Sequence, residues 1–416
     1  MSKLITEIRP QTREIIEKHL EGLSYSEIEI DVEKGSAKGD NYLGIITKAT
    51  VKAKSKEGVK RTFHWIIKNA SDNEEFRLLM HIKNLFTREI YIYQSVFPEF
   101  FKLQDELNIK DRFENVPHVH TIFDGVPETI IMEDLKEQGY VMLNRRKPLD
   151  YDHCMMALKE YAKFHALSFA LKHKRPGVFK QLSDNLHENF FSVMGVEGMN
   201  INMANLNDKV FKAMKPEDEE ALDKFKKYSE NAFGMAVDQI QAESAGEYAV
   251  VTHGDSWVNN ILYKYDDKSQ PEVPTSLSII DFQMSRLGSP ALDLIYFIFT
   301  CTSKELRDSH LQEMLQVYHK SLTDFLRQFS LDTEKVYPYS ILQDHMRQFS
   351  AYGLMMTIMV THLMMSEGDE TPDLENADLT DHAGFESSFI YESKNEALFG
   401  ERIRDVVIDM AAQNYI

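Results

Sequence analysis

From residue 61 the chain reads RTFHWIIKNA, with apolar and polar positions in alternation. Phe63, Trp65 and Ile67 fall on one face, and His64, Ile66 and Lys68 on the other, the period of two that a half-buried strand requires. The preceding stretch, KGSAKGDNYLGIITKATVKAK, opens with a glycine-bearing turn and continues in alternation, predicting a β-hairpin. Over residues 74–98 the period changes. Ile82, Leu85, Phe86, Ile92, Tyr93 and Val96 recur at spacings of three and four, predicting one amphipathic helix with Glu89 inside its apolar stripe. TIIMEDL then gives a short apolar strand that breaks into a polar connector around Glu133 and Leu135. Residues 151–171 predict a strong helix. Two further apolar strands, in AVVTHGD and SLSIID, each lead to an Asp, and Ser289-Pro290 predicts a helix start. The rest reads mainly helical, with residues 351–365 apolar enough for a buried helix but too short and interrupted to span a bilayer. The expected class is α+β: a small, mainly β amino-terminal lobe over residues 1–134 and a larger, mainly helical lobe over 135–416.

Length and charge narrow the function. A chain of 416 residues exceeds one small core and suggests two lobes. The net charge of -19 disfavours nucleic acid and anionic lipid as partners. Much of the acidity lies in residues 366–381, read as a solvated loop. Two cysteines, Cys154 and Cys301, allow no disulfide framework beyond one bond and suggest a reducing compartment. The opening MSKLITEIRPQTREIIEKHL lacks an apolar signal core and reads as an amphipathic helix, so a cytoplasmic location is expected. The oligomeric state is not legible.

The chemistry concentrates between residues 249 and 296. Asp255 is followed five positions later by Asn260, and the second strand delivers Asp281. Phosphoryl transfer calls for such a set: one carboxylate to meet a hydroxyl, and an amide and a second carboxylate to hold Mg²⁺. Gly254 suits a turn in which a side chain would crowd the loop. Lys68 ends an apolar strand, where a phosphate-binding lysine would stand. Glu89, costly inside an apolar stripe if unpaired, is its expected partner. Asp293, in the first turn of the helix after Pro290, is expected to brace the loop, and His165 to be a packed, hydrogen-bonded residue. Gly35, Gly39 and Gly44 match neither G-x-G-x-x-G nor G-x-x-x-x-G-K-[ST]. The methionines of residues 355–365 are expected to pack in the core, with a wall for an apolar substrate as the lesser reading.

Together, GDNY at 39–42, Lys68, FTREIYIY at 86–93, MEDL at 132–135, KFHALS at 163–168, HGDSWVNN at 253–260 and IIDFQ at 279–283 resemble the ecdysteroid kinase-like family of arthropods. That family is similar to choline kinases and aminoglycoside phosphotransferases. The resemblance implies a protein-kinase-like fold that holds ATP between its lobes, and a small-molecule hydroxyl, such as that of an ecdysteroid or a xenobiotic, as acceptor. By matching position it makes Asp255 the catalytic base and Asn260 and Asp281 the Mg²⁺ ligands. Lys68 becomes the phosphate-binding lysine with Glu89 as its partner. Gly39 and Asn41 fall in the nucleotide clamp, and backbone atoms near Glu133 and Leu135 meet adenine. No A-P-E follows Asp281, which argues against a phosphorylation-gated protein kinase. The rival readings are a choline- or aminoglycoside-type kinase and a non-catalytic steroid carrier on the same fold.

Overall fold

The computed structural model describes residues 8–35, 44–188, 190–192, 196–368, 370 and 391–416. Strands β1 (Tyr25–Lys34), β2 (Ile45–Ser55), β3 (Lys60–Asn69), β4 (Val119–Phe123) and β5 (Thr129–Glu133) form an antiparallel sheet in the order β1-β2-β3-β5-β4. The alternation in β3 sorts its two faces. Trp65 and Ile67 pack with Ala49 and Val51 of β2, Ile131 of β5, and Ile16 and Leu20 of helix α1 (Pro10–Gly22). The opposite face carries Ile66 and Lys68, and register places Lys68 between Ile46 and Ile130.

The single helix expected over residues 74–98 is interrupted. Glu74–Leu79 ends at Met80, and His81 takes φ +49°. Helix α2 (Ile82–Tyr91) follows and passes through a π turn, Ile92–Val96, into Phe97–Glu106. Pro98 lacks the N–H that would close a regular turn there, which accounts for the wider one. The extra residue in that turn resets the helical phase. Phe97, Phe100 and Leu103 thereby join Ile82, Leu85 and Phe86 in the core.

Beyond Glu133, helices dominate. They include α3 (Tyr151–Lys174), α4 (Pro290–Cys301), α5 (Lys304–Gln328), α6 (Ser350–Met365) and α7 (Glu396–Ala412). Every residue of α4 is buried, and α6 lies against it so closely that a Cβ on Gly353 would come within 2.0 Å of the Ile295 side chain. Met355, Met356, Met364 and Met365 are core residues and Met359 is partly buried beside them. The core-packing expectation for this helix therefore holds. Two small sheets hold the loops of interest: β6 (Tyr140–Met142), β8 (Ile261–Lys264) and β9 (Ser276–Ile279), and the pair β7 (Val250–Thr252) and β10 (Arg286–Gly288). The main core runs from Phe97, Phe100 and Phe113 through Phe164 of α3 to Phe282, so it extends across both halves of the chain. Both cysteines are free and buried, and no described helix is long and apolar enough to cross a membrane.

The start of α4 carries a pH-dependent element. Ser289 caps the helix by accepting from the Ala291 amide, and its hydroxyl lies 2.7 Å from His345 Nδ1, which also takes the Tyr337 hydroxyl at 3.2 Å. Accepting a hydroxyl proton at Nδ1 requires a neutral imidazole, and burial holds the His345 pKa down to about 4 from an ordinary 6.5. The unfolded chain therefore binds this proton first as the pH falls. Stability should be unaffected by this group above pH 6.5 and should decline progressively from there toward pH 4. Thermal unfolding of His345→Gln is expected to show a shallower acid dependence than the parent over that window; an equal slope would assign the loss elsewhere.

Candidate active site

Lys68 is brought to a buried ion-pair cluster. Its Nζ lies 2.6 Å from Glu89 Oε2 and 2.8 Å from Asp281 Oδ1. Burial opposes the charged ammonium, but the two carboxylates outweigh it and the Lys68 pKa is raised. Glu89 feels burial most, and its pKa rises to about 7 despite the neighbouring lysine. Asp281 adopts φ +66°, a left-handed conformation that non-glycine residues seldom take. Its neighbour holds it there. The Phe282 ring sits edge-on to Phe97 at 4.9 Å and also packs against Tyr93, Phe164 and His253. The adjacent Arg88 donates from the same turn of α2 to the carbonyls of Ser285 and His187. Helix α2 thus grips the Asp281 segment at two successive positions.

The loop from β7 is held from beneath by Asp293, one turn into α4. Its Oδ2 accepts from the His253 amide at 2.7 Å and its Oδ1 from the Gly254 amide at 2.9 Å. His165 Nε2 lies 3.0 Å from the same carboxylate, with Tyr318 on its other ring nitrogen. Burial acts upward on Asp293, yet these donors keep its pKa at about 2. The bracing expected of Asp293 is therefore direct, and His165 is a packed member of that network. His253 accepts the Asp255 amide at Nδ1 and donates from Nε2 to the Ile280 carbonyl, linking the loop to the residue before Asp281.

Gly254 has φ +85°, and a Cβ there would lie 2.1 Å from the Met284 carbonyl oxygen. Backbone cannot yield to such a contact as a flexible side chain can. Gly254→Ala is expected to cost about 2–3 kcal/mol in combined strain and displacement and to lower turnover by at least about tenfold, because the shift moves Asp255. Denaturant unfolding alongside kinetics checks it; a stable, fully active variant would remove the constraint.

Asp255 is surrounded by donors. Tyr296 OH reaches its Oδ1 at 2.8 Å; Trp257 Nε1 and Asn260 Nδ2 reach its Oδ2 at 3.2 and 2.8 Å. Burial and the nearby Asp281 raise its pKa, while Tyr296, His253 and Asn260 oppose that rise. Because both contacts of the Asn260 amide nitrogen go to Asp255, the Asn260 carbonyl oxygen is directed elsewhere. The Ile280 amide also donates to the Asn260 backbone carbonyl at 3.0 Å, tying the two loops together.

One cavity joins Lys68, Glu89, Asn260 and Asp281, and Asp255 adjoins it through Asn260. Its wall combines the apolar Ile46, Ile66, Met132, Leu135, Met142 and Leu262 with Lys68, Glu89, Asn260 and Asp281. A slot that joins apolar walls to Lys68 and two oxygen-donor side chains suits a flat base followed by phosphates. Glu133 and Leu135 both line it, but the Glu133 amide is taken by the His118 carbonyl, so it is not that amide which would meet a base. Asn260 and Asp281 offer hard oxygen donors from two sides, as Mg²⁺ prefers. No group of three His, Cys, Asp or Glu suited to a metal occurs among the described residues, so a cation here would also draw on nucleotide phosphates. Gly39 and Asn41 lie outside the described residues.

Tyr296, Trp257, Arg88 and Tyr352, whose hydroxyl donates to the Gly254 carbonyl, have no role in the sequence reading, although Arg88 and Trp257 stand within two of its motifs. Tyr296 carried one faint signal: it lies on the face of α4 one turn beyond Asp293.

A search of curated proteins finds no match. Among solved structures, the chain is similar to an ethanolamine kinase of Plasmodium vivax, with 14% identity over 80% of each chain and a TM-score of 0.35. It is also similar to a glucosamine kinase, with 10% identity over 80% of this chain and 92% of the other and a TM-score of 0.29. Residues 38–331 match the profile of the ecdysteroid kinase-like family. That match spans more than half of the chain, and the protein is therefore a kinase-like phosphotransferase belonging to the ecdysteroid kinase-like family.

Proposed function

We propose that the protein is an ATP- and Mg²⁺-dependent O-kinase whose acceptor is a hydroxyl of an apolar small molecule, an ecdysteroid such as at its 22-hydroxyl or a related compound. The observation that carries this reading is the meeting of Lys68, Glu89, Asp281 and Asn260 on one cleft, with Asp255 hydrogen-bonded to Asn260 beside it. Residues 1–134 form the nucleotide-covering lobe and 135–416 the lobe with the catalytic loop. The net charge of -19 speaks against nucleic acid, and two free buried cysteines fit a cytoplasmic setting.

Each residue then has a task. Lys68, oriented by Glu89, holds the phosphates. Asn260 and Asp281 hold the cation. ATP, when bound, supplies the phosphoryl group, and Mg²⁺ neutralises the charge that develops on it. Asp255 accepts the acceptor hydroxyl's proton. Its Oδ2 already takes two donors and its Oδ1 only one, so Oδ1 is the oxygen left for the acceptor. Most of the rate comes from positioning and charge stabilisation.

The test is ATP consumption by purified protein with Mg²⁺ against ecdysteroids, plant-type phenols and glycosides, and choline, with mass spectrometry of products. A phosphorylated steroid supports the hormone acceptor. A phosphorylated phenol or glycoside moves the function to detoxification, and phosphocholine to a choline-type kinase. Failure to bind any nucleotide would overturn the kinase reading.

A further inference from the structure

A second cavity, of about 800 Å³, adjoins the nucleotide slot and shares Lys136, Met142 and Asn259 with it. Its wall continues along β6 and the segment after it to Asn144, Arg145 and Arg146. Among the described residues three cations and no acid line it, in a chain of net charge -19. Two acids of the neighbouring segment are engaged by another cation. Asp134 and Glu137 face Lys48 at 3.4 and 2.7 Å. Lys136 has no ion pair among the described residues. Among the described residues Arg146 pairs with Glu367 at 3.7 Å, with both side chains solvent-accessible, a pairing that contributes little. Arg145 is buried, and its guanidinium donates to the Ser366 carbonyl, which fixes it at the cavity wall.

Asn259 supplies an independent observation. It is 3% exposed, lines both cavities, and its amide nitrogen has no hydrogen-bond partner among the described residues. An unmet buried donor is costly, and an oxygen-rich ligand would relieve it. With a base in the apolar slot and phosphates at Lys68, Asn259 stands where the sugar passes from one cavity to the other.

We propose that this cavity is an anion subsite of the same active cleft, receiving a phosphate, sulfate or carboxylate carried beside the ribose. The inference rests on the kinase reading. Two sources share this chemistry: a further phosphate on the nucleotide's ribose, or an anionic group at the far end of the acceptor. Guanidinium and ammonium groups around a part-enclosed cavity favour either over its neutral counterpart.

The test uses the full-length chain in two arms. In the first, adenosine 3′,5′-bisphosphate and adenosine 5′-monophosphate compete with a fluorescent ATP analogue. In the second, kcat/KM is compared between a hydroxysteroid and its sulfate conjugate. A preference of about tenfold or more for the added anion is expected in one arm, with the arm identifying the source. Arg146→Glu or Lys136→Glu should collapse that preference toward unity. Because the preference is a ratio within each variant, a general loss of folding cancels. Ratios near one in both arms, or ratios untouched by either substitution, would overturn the subsite. Failure of the ATP analogue itself to bind the parent protein would instead overturn the kinase reading.

Discussion

Asp255→Asn is expected to lower kcat by about a thousandfold, within the range that a positioned general base contributes, while leaving nucleotide affinity intact. The surroundings of Asp255 make this variant informative. Its Oδ2 accepts from Trp257 Nε1 and Asn260 Nδ2, and Asn260 Nδ2 also donates to the Asp255 carbonyl, so with these two N–H groups in place the new amide sets its oxygen there. The amide nitrogen then replaces Oδ1 and faces Tyr296, whose hydroxyl can turn to accept it. The fold is satisfied, but the position that should receive the acceptor's proton now carries hydrogens. Calorimetric ATP titration with steady-state kinetics separates the two effects. Activity within tenfold of the parent would remove Asp255 from the role of base.

Lys68→Met should be the most destabilising single change in the cleft. It leaves Glu89, 1% exposed, and Asp281 without their shared cation. Burial already raises Glu89 to about 7 with the lysine present. Losing one partner of a buried pair costs about 3–5 kcal/mol, because a charge is left uncompensated. Replacing both members by apolar residues removes that penalty. The double variant Lys68→Met/Glu89→Met should therefore recover most of the stability and none of the activity. Urea unfolding of the single and double variants decides the matter. Equal stabilities would mean that Glu89 simply takes up a proton, and that the pair serves orientation alone.

The sequence by itself determined the local elements and the polar inventory of the cleft. Alternation in β3 placed Trp65 and Lys68 on opposite faces because a strand's side chains alternate by necessity. Ser289 and Pro290 marked the start of α4 because capping is a local hydrogen bond. Glu89 was legible because a carboxylate inside an apolar stripe demands a partner, and Lys68 was the cation a strand could deliver. Gly254 was legible as a turn glycine, although its reason, the Met284 carbonyl 2.1 Å from a would-be Cβ, comes from residues thirty positions on.

Other features were decided only by the tertiary structure. The break at His81 and the π turn at Ile92–Val96 depart from an otherwise continuous helical pattern, and their gain is the packing of Phe97 and Phe100 into a core built with α3. His165 and Asp293, far apart in the chain, share one hydrogen bond, and Tyr296 meets Asp255 because α4 runs beneath the loop. No periodicity encodes such meetings, since they depend on how separate elements cross. The basic cavity beside the nucleotide slot has the same origin: its cations stand on consecutive short segments whose local sequence is unremarkable, and only the approach of β6 to the catalytic loop brings them beside Asn259.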